Sequence, residues 1–108
     1  MRFGFYLPTR GDTSAPEALI ALVQRAEAIG FDSVMIGDHV VFPVEVKSPY
    51  PSTANKVFPG DGDALDIFAL MTFVGAHTRR MRLVSSVLVV PQRNPLVTAK
   101  TVATIDVL

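Results

Sequence analysis

Residues 14–39, SAPEALIALVQRAEAIGFDSVMIGDH, decide the fold class. Ser14 can cap free N–H groups at a helix start, Glu17 can reach back to it, and Pro16 sits in the first turn, where a missing N–H does no harm. Leu19, Leu22, Val23, Ala26 and Ile29 then recur at helical spacing, with Gln24, Arg25 and Glu27 between them. Gly30 supplies a left-handed residue that stops the helix. This spacing predicts a helix over 15–29 and a strand over 33–37, SVMIG. Upstream, RFGFYLP at 2–8 is apolar on both faces and ends at a proline, as a strand buried in a parallel sheet does. Strand, capped helix and strand make a βαβ unit, whose crossover is right-handed and whose strands are parallel.

The same pattern repeats downstream. Residues 40–62 hold Pro43, Pro49, Pro51, Pro59, Gly60 and Gly62 and show no period. A loop of this length is either a binding loop or an insertion. Asp63 can cap a second helix over 63–77, with Leu65, Phe68, Ala69, Thr72, Phe73 and Ala76 as its apolar stripe. Its end, His77-Thr78-Arg79-Arg80, places positive charge where the helix dipole favours it. Residues 81–90, MRLVSSVLVV, form the third strand, predicted over 82–90. After Pro91-Gln92-Arg93, Asn94 caps a third helix over 95–107 with Pro95 in its first position; Leu96, Ala99, Val102, Ala103 and Ile105 mark its expected buried face. That helix reaches Leu108 without a Gly or Pro stop, so the chain is expected to end within a larger set of elements. The order β-α-β-α-β-α is an α/β architecture. Three such strands can begin an open doubly wound sheet or a barrel. The first βα loop, TRGDTS at 9–14, lacks the G-x-G-x-x-G fingerprint and the P-loop lysine pattern, which disfavours a nucleotide-binding Rossmann domain.

The chain has 108 residues, enough for one small domain. Hydrophobic residues make up 49 % and charged residues 19 %, an apolar balance for so short a chain. Either much apolar surface is exposed or something outside this sequence covers it. Ten basic and ten acidic residues cancel, with no basic block to suit a nucleic acid. There is no cysteine, which excludes disulfides and thiolate metal sites. The N-terminal apolar run is too short for a signal peptide, and no run approaches the ~20 residues of a membrane span. A soluble cytoplasmic protein is expected.

Asp38-His39 falls at the C-terminal end of the second strand, where parallel α/β folds place their active sites. Adjacent strand residues point to opposite faces, so only one of the pair is expected to face a barrel interior. Histidine can take or give a proton near neutrality; equally, Asp38 can cap a turn and His39 can be an ordinary loop histidine. Two adjacent ligands cannot make a metal site, and no H-x-H or H-x-x-x-H pattern occurs. No metal site is expected, and His77 reads as a surface residue. Ser85 and Ser86 stand inside a hydrophobic strand, where their hydroxyls need partners or a crevice.

Four segments together resemble the luciferase-like monooxygenase superfamily: FGFYLPTRG, AEAIGFDSVMIGDHVVFP, TRRMRLVSSVLVVPQRNP and AKTVATIDVL. The branch most resembled uses the deazaflavin coenzyme F420, and the SPYPST…FPGD loop fits one subgroup of it. The resemblance spans essentially the whole chain. It implies a (β/α)₈ barrel of ~250 residues or more, of which 1–108 would be one partial domain carrying strands one to three and their helices. In the family the sequence continues past ATIDVL into a fourth strand. The resemblance implies F420, or alternatively FMN, as cofactor, with His39 beside the ring as the proton-handling residue and Asp38 as a cofactor contact or orienting neighbour. It implies a bulge at Ser85, Ser86 and Val87, with a non-proline cis peptide at Ser86–Val87 against which the ring packs. Val84-Ser85 stand where relatives commonly carry Gly-Thr. Arg93 can meet a phosphate or acidic tail of the cofactor, or simply flank a helix start. Tyr6, Pro8 and Phe42 are expected to line a substrate pocket; Phe42-Pro43 occupies the place of an aromatic residue in F420-using members.

The function implied is hydride transfer to, or monooxygenation of, a small organic molecule. A non-catalytic fragment or oligomerising α/β module derived from such an enzyme is the alternative, and a metal-dependent barrel hydrolase a third. An open three-stranded sheet would expose two edges. It would also leave one face open, expected to carry Phe3, Phe5, Leu7, Val34, Ile36, Val87 and Val89. The chain is therefore expected to pair with copies of itself or with the rest of its barrel.

Overall fold

The computed structural model describes residues 1–43, 45–51, 53–55 and 64–108. Strands β1 (Gly4–Tyr6), β2 (Ser33–Ile36) and β3 (Arg82–Ser85) alternate with helices α1 (Pro16–Ala28), α2 (Ile67–His77) and α3 (Pro95–Val107). Single 3₁₀ turns at Asp12–Ser14 and Val90–Gln92 precede α1 and α3. The sheet runs in sequential order β1-β2-β3, and both pairings are parallel. Three consecutive βα units in this order are the arrangement with which a (β/α)₈ barrel opens. Among the described residues no helix is long and apolar enough to cross a membrane.

The strands are shorter than the apolar runs that encode them. Backbone bonds from Asp32 N–H to Phe3 O and from Leu7 N–H to Met35 O extend the β1–β2 pairing at both ends. The third strand stops at Ser85, followed by a cis Ser86–Val87 peptide and then the 3₁₀ turn, so it does not run to residue 90. Gly4 fits because a Cβ there would lie 2.4 Å from Ser33 Oγ of the neighbouring strand.

The expected caps divide. Asn94 accepts from Leu96 N–H and Val97 N–H, with Pro95 just inside α3. Gly30, at φ +99°, ends α1 in a Schellman turn: Phe31 N–H reaches Ala26 O and Gly30 N–H reaches Glu27 O. Ser14 does not cap α1. It lies inside the preceding 3₁₀ turn and donates to Gly11 O, which leaves Ala15 at the N-cap with no side-chain bond. The cap of α2 is Asp66, whose Oδ1 accepts from Phe68 and Ala69 N–H at 3.0 Å. Asp63 lies outside the described residues, as do residues 56–62 of the long loop.

The core joins Leu19, Val23 and Ala26 of α1, Val34 and Ile36 of β2, and Ile67, Leu70, Met71 and Val74 of α2, with Leu7, Phe68 and Met81. The buried stripe of α2 is rotated from the expected one, which shares only Phe68 with it. This helix is apolar nearly all round, so its period does not select a face. In α1, Leu22 and Ile29 are exposed. In α3 no residue is fully buried, and only Ile105 packs on the core; Leu96 and Val102 stay exposed. The helix lies against α2, so its remaining apolar positions have no covering layer within the described chain.

The faces of the sheet differ from expectation at most of the named strand residues. Phe5, Leu7, Val34, Ile36 and Leu83 turn toward the helices. Alternation puts Tyr6, Met35 and Val84, paired across the three strands, on the other face. Of the seven residues expected on the open face, Phe3 and Val87 are exposed, while Phe5, Leu7, Val34 and Ile36 pack on the core.

At the opposite end of the strands, Glu27 of α1 binds the turn that leads into β3. Its carboxylate accepts from the backbone N–H groups of Arg79, Arg80 and Met81 at 2.7–3.2 Å. These bonds, that from Arg80 the strongest, hold the Glu27 carboxyl below its ordinary pKa. Glu27→Ala leaves three backbone donors without that acceptor and is expected to cost about 1–3 kcal/mol in urea unfolding at pH 7. Because the folded-state pKa is depressed, this stabilisation is present above the ordinary carboxylate pKa. It is lost as pH falls through the lower folded value, so wild type and variant should converge on acidification.

Candidate functional site

The C-terminal ends of the three strands bring together Tyr6 and Pro8 after β1, Asp38 and His39 after β2, and the Ser86–Val87 segment after β3. Asp38 continues the helix-facing parity of Val34 and Ile36, and is buried. His39 takes the opposite parity and is exposed. The two neighbours thus face opposite ways, and only His39 is open to a ligand.

The Asp38 carboxylate is enclosed by protein. Oδ2 accepts from Val89 N–H at 3.0 Å and from Arg93 Nε at 3.1 Å, and Oδ1 accepts from Arg93 Nη2 at 2.5 Å. Its side chain has no exposed surface, and that of Arg93 has 15 %. The paired guanidinium holds the Asp38 carboxyl below the usual range despite burial, helped by Val89 N–H, and Arg93 is raised in turn. Arg93 also stacks over the Phe68 ring, 4.6 Å to the centroid, and reaches Asp66 Oδ2 at 3.5 Å. Of the two roles open to Arg93 in the sequence, the structure places it beside a helix start, bound to Asp38. Neither the sequence spacing nor local propensity signals this contact, since 55 residues separate the partners.

On the open side, Tyr6 Oη and Ser86 Oγ lie 2.5 Å apart, so the expected partner for a strand-three serine is a pocket residue of strand one. Val87 is 68 % exposed beside them. Ser85 has the register of Ile36, on the other side of the sheet from Ser86. The His39 imidazole packs against Phe42, with ring centroids 4.9 Å apart and planes at 31°. Arg10, from the loop after β1, lies 5.4 Å over the same Phe42 ring. The loops after β1 and β2 are thereby joined in an Arg10–Phe42–His39 stack that the sequence did not signal.

A cleft of about 550 Å³ lies between α2 and α3, lined by Asp66, Phe68, Arg93, Asn94 and neighbours. It belongs to the helix layer; neither Tyr6, His39, Ser86 nor Val87 lines it. The strand ends, where this fold positions reacting groups, are a more direct guide to chemistry than this outer groove. Among the described residues no three His, Asp or Glu side chains gather to hold a metal ion.

Parallel strands in sequential order with crossover helices are the arrangement of a segment of a (β/α)₈ barrel. The sequence pattern of the family described as luciferase-like monooxygenase matches residues 1–108, and the chain belongs to that family. An uncharacterized protein of Mycobacterium tuberculosis is 37 % identical over 83 residues, covering 75 % of this chain and 29 % of the relative. A second uncharacterized protein of that organism is 31 % identical over 110 residues, covering 98 % of this chain and 37 % of the relative. The chain thus spans about a third of the length of these curated relatives.

Proposed function

We propose that the ends of β1–β3 form part of a site for reduced coenzyme F420, or alternatively reduced FMN, in an oxidoreductase acting on a small organic substrate. The observation that carries this reading is the Tyr6–Ser86 hydroxyl pair beside exposed Val87 at the strand ends, with exposed His39 following β2 at the same end of the sheet, in a member of this family. The residues present fit a planar tricyclic ring: exposed Val87 offers an apolar seat, and the linked Tyr6 and Ser86 hydroxyls offer polar atoms at its edge. When bound, the reduced cofactor supplies the hydride or the reducing electrons. His39 holds or delivers a proton at an imidazole nitrogen, oriented by its contact with Phe42. Ser86 and Val87 shape the seat, with Ser85 on the far side of the sheet as their backbone support, while Tyr6, Pro8 and Phe42 border the substrate and limit water. The cytoplasm is the compartment that goes with this proposal. Titration of the full chain with FMN and with F420, followed by fluorescence, tests the reading. Saturable binding weakened by Val87→Asp is expected; no binding of either cofactor overturns it.

Assembly belongs to the same proposal. β1 and β3 are each paired on one side only among the described residues. Val84 of β3 and Leu96, Val97, Val102 and Val107 of α3 are exposed apolar side chains that a covering layer would bury. One partial barrel domain over residues 1–108 is then completed by further barrel elements or by a second copy. Sedimentation of the chain at micromolar concentration should show an associated species; a stable lone monomer contradicts this.

A further inference from the structure

We propose that Asp38 and Arg93 act as a positioning pair that fixes the strand-three segment, residues 86–89, against the end of β2, and that the Asp38 side chain itself touches no ligand. This rests on the reading that a cofactor ring packs at that segment.

The geometry carries the role. The ladder between β2 and β3 ends with Ser86 N–H bonded to Ile36 O. Beyond it the backbone leaves the sheet, and the next tie to β2 is Val89 N–H on Asp38 Oδ2. Asp38 therefore takes over where the ladder stops. Its other bonds all go to Arg93, whose guanidinium is itself held between the Phe68 ring and the Asp66 cap of α2. One buried carboxylate so connects the end of β2, the segment after β3, the start of α2 and the loop into α3. The segment is tied at Ser86, through its N–H on Ile36 O, and at Val89, through its N–H on Asp38; Val87 lies between the two ties, and His39 is the chain neighbour of Asp38. Both faces of the proposed site are thus referred to one anchor. With its oxygens occupied and no surface exposed, Asp38 can act on a ligand only through these residues.

A planar bidentate pair fixes direction as well as distance, which a lysine or a neutral amide does not reproduce. Small misplacements at a binding surface cost ten- to a hundredfold. The test compares wild type, Asp38→Asn, Arg93→Lys and the double variant Asp38→Asn/Arg93→Gln in the full chain. Amide hydrogen exchange at Val89 and Ile36 is measured beside FMN and F420 dissociation constants, well below the unfolding temperature of each variant. Asp38→Asn keeps an acceptor for Val89, and Arg93→Lys keeps the charge, so both retain the fold more readily than alanine variants. Expected are Val89 exchange faster by about tenfold or more, Ile36 unchanged, and cofactor dissociation constants raised about tenfold. The double variant is expected to be no worse than the weaker single variant, as for partners in one interaction. Cofactor affinity unchanged while Val89 exchange accelerates overturns the positioning role and leaves a purely structural pair. Wild-type protein that binds neither cofactor overturns the underlying reading, and the positioning role with it.

Discussion

Arg93→Ala is expected to destabilise the chain by about 4–5 kcal/mol, and Asp38→Ala by about 3 kcal/mol, although both remove the same ion pair. Breaking a buried pair costs about 3–5 kcal/mol because it strands the remaining charge. Without Arg93, a carboxylate with no exposed surface is left with one backbone N–H. Without Asp38, the guanidinium keeps Asp66 and the Phe68 ring and can turn to water through its exposed edge. Against a total of about 5–15 kcal/mol for a domain, the first change approaches global unfolding. Urea titrations at pH 7 measure both. The pH dependence follows from the depressed Asp38 pKa. The stabilisation is present above the ordinary carboxylate pKa and fades as pH falls through the lower folded value. In Arg93→Ala the buried carboxyl can instead take up a proton, so the gap to wild type should narrow on acidification. Equal losses for the two alanine variants would contradict the asymmetry.

His39→Ala, in a protein carrying this segment within a complete barrel, is expected to lower turnover about 10²–10⁴-fold, the range of a general acid or base. Cofactor affinity should change far less, because the seat on Val87 and the Tyr6–Ser86 pair are intact. Phe42→Ala, which removes the ring against which the imidazole packs, should lower turnover by a smaller factor. Steady-state kinetics beside cofactor titration separate the two effects. An unchanged turnover number would leave His39 an ordinary loop residue.

The contrast between Asp38 and His39 shows what was legible in the sequence. Strand parity alone predicts that the two neighbours part, and they do. It does not say which faces the helices, because β2 is apolar on both sides; the packing of Leu19, Val23 and Ile67 beneath Val34 and Ile36 decides that. The same ambiguity put Phe5, Leu7, Val34 and Ile36 on the helix side and not on the expected open face. Local signals held where the geometry is local: Asn94 beside Pro95, and Gly30 after an amphipathic helix. They failed where two candidates compete, as Ser14 lost its cap role to a 3₁₀ turn that also uses it. Glu27 on the 79–81 turn and Arg93 on Asp38 bridge more than 50 residues, and no window of sequence contains both partners. The apolar composition did foretell exposure: Leu96, Val97 and Val107 of α3 lie open.

In the proposed function the open rim of β1–β3, and not the groove between α2 and α3, receives the cofactor. Backbone amide chemical shifts of the full chain, recorded during titration with F420 and with FMN, test it most directly. The largest saturable changes are expected on His39, Ser86 and Val87, with Val97, Thr98 and Thr101 of the groove unmoved. Changes concentrated on those α3 residues, with His39 and Val87 silent, would contradict it.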